Sequence, residues 1–137
     1  MCLAVYLASS LPLRAVAWDK AAPAFYLEPL AEGESVRKQF SLAYVYYVGT
    51  HKGCGCGFSK DGEVGEELKA CQENYVALSR TIREAISVGA RAELFTCWEG
   101  AQRAAPAFRG SATPFELQTP SFELKELQLL QVIENDA

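Results

Sequence analysis

Between Glu66 and Val88 the residues Leu68, Cys71, Tyr75, Leu78, Ile82 and Ile86 recur at spacings of three and four, so on an α-helix they form one apolar stripe. A helix of that length with a single apolar face must pack on something, and the flanking sequence says what. Glu63, Glu66 and Glu67 complement the dipole at its start, and Gly89 offers a C-terminal cap. On either side the period changes from 3.6 to 2.

Upstream, Arg37 to Val48 alternates Phe40, Leu42, Tyr44, Tyr46 and Val48 against Ser41, Ala43, Val45 and Tyr47, with the β-branched and aromatic content of a strand. Downstream, Ala92 to Trp98 reads as another strand. Strand, glycine-rich loop, helix and strand make a βαβ-like unit. If its two strands share a sheet and run parallel, both end at the same sheet edge, where open α/β sheets place their ligands.

Three further segments complete the expected sheet. Leu3 to Ala8 is apolar on both alternating sets, as suits a strand covered on both faces. Phe25 to Leu27 lies between Pro23 and Pro29, which points to an edge strand. Phe122 to Ile133 alternates weakly and reads as a strand rather than a helix. Gln102 to Pro120, punctuated by Pro106, Gly110, Pro114 and Pro120, reads as irregular. The expectation is an α+β fold over 1–137 as a single domain, with a mixed sheet of about five strands and helix 66–88 packed on one face.

Composition narrows the function classes. A chain of 137 residues, 50% hydrophobic and 22% charged, is ordinary globular material. With 13 Lys and Arg against 17 Asp and Glu, a net charge of -4 and no basic stripe, nucleic acid is not an expected partner. No apolar run approaches the roughly 20 residues that span a bilayer, so a membrane is not expected either. The opening MCLAVYLASSLPLRAVA ends in small residues at Ala15 to Ala17, but it lacks the charged start of a secretion signal and reads as a first strand. Five cysteines, Cys2, Cys54, Cys56, Cys71 and Cys97, in a chain of this size then suggest reduced thiols and a cytoplasmic location.

The chemically distinctive stretch is His51 to Phe58, HKGCGCGF, inside the glycine-rich loop from Gly49 to Gly65. Loops this long in compact domains are often functional. His51, Cys54 and Cys56 are of the ligand types zinc prefers, and an extended GCGCG would set both thiols on one face about 7 Å apart. A closed site wants a fourth ligand, for which Cys97 or Glu99 at the end of the later strand are available, with Cys71 less suited because it belongs to the helical stripe. The same residues permit thiol chemistry, with His51 as the cationic neighbour that makes a thiolate. Gly53, Gly55 and Gly57 also permit an anion cradle, although the spacing is not that of a dinucleotide fingerprint. Cys2 would be a nucleophile only if Met1 were removed and its own amine served as base.

Against these stands a packing role, in which the glycines admit another backbone or ring and the thiols are small buried groups. The sequence therefore favours a non-catalytic ligand-binding or interaction protein with a structural Gly/Cys loop. The alternative is a thiol- or zinc-dependent protein using His51, Cys54 and Cys56. No cofactor other than zinc comes into view, and no oligomeric state is specified.

Overall fold

The computed structural model describes residues 2–134; Met1, which the secretion and N-terminal nucleophile readings involve, lies outside them. Strands β1 (Leu3–Ser9), β2 (Tyr26–Pro29), β3 (Tyr44–Gly49), β4 (Ala92–Trp98), β5 (Phe108–Ala112) and β6 (Gln128–Val132) form one mixed sheet in the order β2-β3-β1-β4-β6-β5. Every pairing is antiparallel except β5 with β6. Helix α1 (Gly65–Ser87) covers one face, and a short helix α2 (Pro114–Leu117) packs beside it. The fold is α+β, as the periodicities predict. Among the described residues no helix is long and apolar enough to cross a membrane.

Strand β1 is buried along its whole length, because it is apolar on both sides and both sides are covered. Leu3, Val5 and Leu7 join Tyr75, Leu78 and Ile82 of α1 in the larger core. Ala4 and Tyr6 face the other way, with Val36, Phe95, Cys97 and Leu129. Helix α1 ends as its sequence implies: Gly89 takes a φ of 95°, and its N–H and that of Ala90 satisfy the carbonyls of Ile86 and Ala85.

The βαβ-like unit exists, with a strand inserted. β3 and β4 are not neighbours; β1 lies between them and is antiparallel to both, so β3 and β4 run in the same direction. The N-terminal end of β1 consequently meets the C-terminal ends of β3 and β4. This arrangement builds the candidate site.

Four local expectations change. The strand expected over 37–48 is extended only from Tyr44, because Ser35–Gln39 closes into a 3-10 turn. Its Arg37 guanidinium donates to the carbonyls of Leu30, Ala31 and Ala43, holding the chain in a turn that no alternation pattern announces. The segment expected to be irregular holds β5 and α2, which raises the strand number among the described residues to six. Thr113-Pro114-Phe115-Glu116 was legible as a helix start: the Thr113 hydroxyl accepts from the Glu116 N–H, and the Glu116 carboxylate accepts from the Thr113 N–H. In 122–133 only Gln128–Val132 is a strand; Leu127, at a φ of 53°, turns the chain into it. The second strand sits at the sheet edge but spans Tyr26–Pro29.

Candidate functional site

The loop after β3 is held by Thr50. This buried residue pairs its N–H with the Cys54 carbonyl, to which its hydroxyl also donates at 2.6 Å, while the same hydroxyl accepts the Gly57 N–H at 3.1 Å. The chain then enters a 3-10 turn, Gly55–Phe58, in place of the extended GCGCG. Tyr75 of α1 anchors the end of this turn: its hydroxyl donates to the Phe58 carbonyl at 2.6 Å and accepts the Leu124 N–H at 3.0 Å. The two rings meet edge to face, with centroids 5.0 Å apart.

Each glycine of the stretch has a structural reason. Gly53 needs its φ of 80°, and its carbonyl accepts from the Tyr26 hydroxyl. Gly55 lies directly on β1, where a Cβ would collide with the Leu3 carbonyl oxygen. At Gly57 a Cβ would strike the Thr50 side chain. Their amides are engaged as well, donating to the Thr50 carbonyl, the Tyr47 hydroxyl and the Thr50 hydroxyl. An anion cradle requires amides free to turn toward a ligand, and these three already have partners.

The close approach of Gly55 to β1 sets the thiols. The sulfurs of Cys2, Cys54 and Cys56 all lie within 4.8 Å of one another. Cys2 is exposed, and Cys54 and Cys56 are half-buried. The Leu3 N–H donates to Cys56 Sγ at 3.4 Å, and the Cys56 N–H donates to Cys54 Sγ at 3.4 Å. The two thiols are pulled apart in acidity. Burial works to raise Cys56, but the Leu3 N–H, the thiols of Cys54 and Cys2 and the Lys52 ammonium outweigh it and bring its pKa below the ordinary thiol value. Cys54 is pushed up to about 11, first by burial and then by its thiolate neighbour. Cys56 is thus the first of the pair to become a thiolate, with its neighbours donating to it.

Of the other residues singled out from the sequence, His51, Cys71, Cys97 and Glu99 do not join the group of three sulfurs. His51 donates from Nε2 to Glu67 Oε1 at 2.9 Å and accepts at Nδ1 from the Asn74 amide, also at 2.9 Å. Asn74 also donates to the Gly57 carbonyl, which orients its amide so that its N–H faces the imidazole Nδ1. With both nitrogens engaged, His51 serves to fasten the loop to α1. Cys97 is fully buried beside Ala4 and Tyr6 on the face away from α1, where burial and then Glu99 push its thiol up to about 11. Cys71 is fully buried under the loop, and its thiol donates to the Ser59 carbonyl at 3.6 Å. Glu99 accepts from the Gln102 amide at 2.9 Å, although its own N–H donates to the Cys2 carbonyl and ties the two strand ends together.

Thr50 and Asn74 are residues that sequence reasoning passed over, and Cys2, weighed only as an N-terminal nucleophile, was not joined to the loop thiols. For Cys2 no local signal exists: only the insertion of β1 antiparallel between β3 and β4 brings its first residue to their ends. A cleft of about 530 Å³ has Phe25, His51, Asn74 and Arg80 in its walls, but none of the three clustered cysteines. No protein-family model matches the chain, and no curated protein or solved structure is similar enough to count as a relative.

Proposed function

We propose that the protein binds a soft, thiophilic metal ion through the thiolates of Cys2, Cys54 and Cys56. The observation that carries the proposal is the convergence of three sulfurs within 4.8 Å from two separate parts of the chain. Thiolates are the ligands soft ions prefer, and N–H groups aimed at sulfur stabilise the charge a metal-bound thiolate keeps. This is the metal-dependent alternative of the sequence reading, with Cys2 in the place of His51. A reducing compartment such as the cytoplasm belongs to the same proposal, because all five cysteines are free.

The test is metal titration of the reduced, untagged full chain. Co²⁺ supplied anaerobically should give a sulfur-to-metal charge-transfer band at one equivalent. Loading should also shield Cys2, Cys54 and Cys56 from alkylation, read residue by residue by mass spectrometry. Absence of the band together with undiminished alkylation of all three rejects the proposal.

The lowered pKa of Cys56 favours a second reading, thiol–disulfide chemistry. A peroxide would transfer one oxygen to the Cys56 thiolate; attack by a neighbouring thiol would then form the S–S bond and release water. Rapid formation of one disulfide per chain with substoichiometric peroxide, by protein that binds no metal, would establish that reading instead.

A further inference from the structure

Resting on the metal-site proposal, we infer that the site selects a monovalent ion content with three sulfur ligands, Cu(I), over Zn(II). The ground is that the described residues bring three sulfur ligands together. Among the described residues no other Cys, His, Asp or Glu ligand atom joins the three sulfurs. The other ligand types singled out from the sequence have other partners: His51 bonds Glu67 and Asn74, Glu99 accepts from Gln102, and Cys97 is packed in the core on the face away from α1.

Coordination number is what separates the two ions. Zinc in a structural protein site takes four ligands in a tetrahedron, so here it would have to complete its shell with water or another exogenous group. Cu(I) is also soft and thiolate-seeking, and a trigonal shell suffices for it. For metal–sulfur bonds of about 2.3 Å, a planar trigonal arrangement sets the sulfurs roughly 4.0 Å apart, against roughly 3.8 Å in a tetrahedron. Both spacings fall inside the 4.8 Å within which the three sulfurs lie, so the cluster admits the triangle with its own ligands alone.

The backbone makes the triangle hard to enlarge into a four-ligand cage. Cys2 is held through its carbonyl by the Glu99 N–H at 2.8 Å, and Cys56 is held to β1 by the Leu3 N–H. Gly55 between the two loop cysteines is pressed onto the same strand. Two of the three ligands are therefore fastened to β1 or its end, and Cys54 is fastened through its carbonyl to Thr50.

The experiment uses the full-length reduced protein under anaerobic conditions, with Cu(I) delivered from a chromogenic bicinchoninate complex and Zn(II) from a zinc-responsive chelator. The expected result is one Cu(I) per chain, an X-ray absorption spectrum with three sulfur scatterers, and no displacement of bound Cu(I) by a 100-fold excess of Zn(II). Cys2→Ser, Cys54→Ser and Cys56→Ser should each reduce Cu(I) affinity by more than the roughly 100-fold that losing an outer hydrogen-bond partner costs a metal site. Circular dichroism of each variant checks folding. On the wild type, Cu(I) should block alkylation of Cys2, Cys54 and Cys56 while Cys97 keeps its metal-free reactivity in denaturant, which keeps the test independent of variants. Zinc that displaces Cu(I), or binds with three sulfurs and one oxygen at equal or higher affinity, overturns the selectivity and leaves the metal-site proposal standing. Failure of both ions to bind overturns the two together.

Discussion

Replacing Gly55 with alanine tests how the thiol cluster is assembled. The added Cβ would collide with the Leu3 carbonyl oxygen and sit 3.1 Å from its carbonyl carbon and 3.3 Å from the Val5 nitrogen. These are backbone atoms of β1, where Val5 is paired with Val48 and Thr96 on its two sides and Leu3 with Trp98 on one, so the strand has little room to yield. The loop must retreat instead, by about 1 Å to restore ordinary contact. That retreat stretches the bond from the Gly55 N–H to the Tyr47 hydroxyl, already 3.2 Å, and breaks the 3.4 Å contact from the Leu3 N–H to Cys56 Sγ. Overpacking costs about 1–3 kcal/mol and a lost neutral hydrogen bond about 1 kcal/mol, so Gly55→Ala should destabilise the protein by about 2–4 kcal/mol. Urea unfolding followed by the fluorescence of Trp18 and Trp98 measures the loss, and alkylation of metal-loaded protein reports the cluster. A loss below about 0.5 kcal/mol, the range of an inert surface change, with unchanged protection of all three thiols, would show that the approach to β1 does not organise the site.

Tyr75→Phe should cost about 2–4 kcal/mol in urea unfolding, since it leaves the buried Phe58 carbonyl and Leu124 N–H without their partner; a loss under about 1 kcal/mol would contradict the clamp. Thr96→Val should raise stability by about 1 kcal/mol, because the Thr96 hydroxyl is buried without a hydrogen-bond partner and valine fills nearly the same volume; a decrease in thermal midpoint would refute it. Asn74→Ala should destabilise by about 1–3 kcal/mol yet leave the ratio of Cu(I) to Zn(II) affinity unchanged, whereas a changed ratio would implicate His51 in metal binding. In metal-free protein, site-resolved iodoacetamide labelling should reach half its limiting rate below the ordinary thiol pKa at Cys56 and near 11 at Cys54. The lowered Cys56 value contributes stability that is present above the unfolded thiol pKa and fades as pH falls through the folded one. The raised Cys54 value contributes stability that is present below the unfolded pKa and fades as pH climbs toward 11. Coincident midpoints for the two cysteines would refute both assignments.

The elements legible in the sequence are those that carry their own periodicity. Cys71, Tyr75, Leu78 and Ile82 are fully buried from α1, and β1 is covered on both faces, because apolar spacing alone tells such segments which way to point. The 3-10 turn at Ser35–Gln39 and the strand Phe108–Ala112 escaped for the opposite reason. The first depends on one guanidinium reaching three carbonyls, and the second is a mostly exposed edge strand whose side chains bury little.

The site divides along the same line. HKGCGCGF declared by itself that glycines were required and that two thiols stood near one histidine. Local spacing then drew His51 into the chemistry, where the tertiary structure spends both of its nitrogens on Glu67 and Asn74. Cys97 shares β4 with Trp98 but points to the opposite face, since alternate residues of a strand do. Cys2, more than fifty residues away in the chain, becomes the third thiol only because β1 is inserted antiparallel between β3 and β4 and Gly55 lets the loop lie on it. Residue types and periods follow from the chain read locally. The convergence of three sulfurs follows from strand order, a non-local property that no spacing within HKGCGCGF encodes.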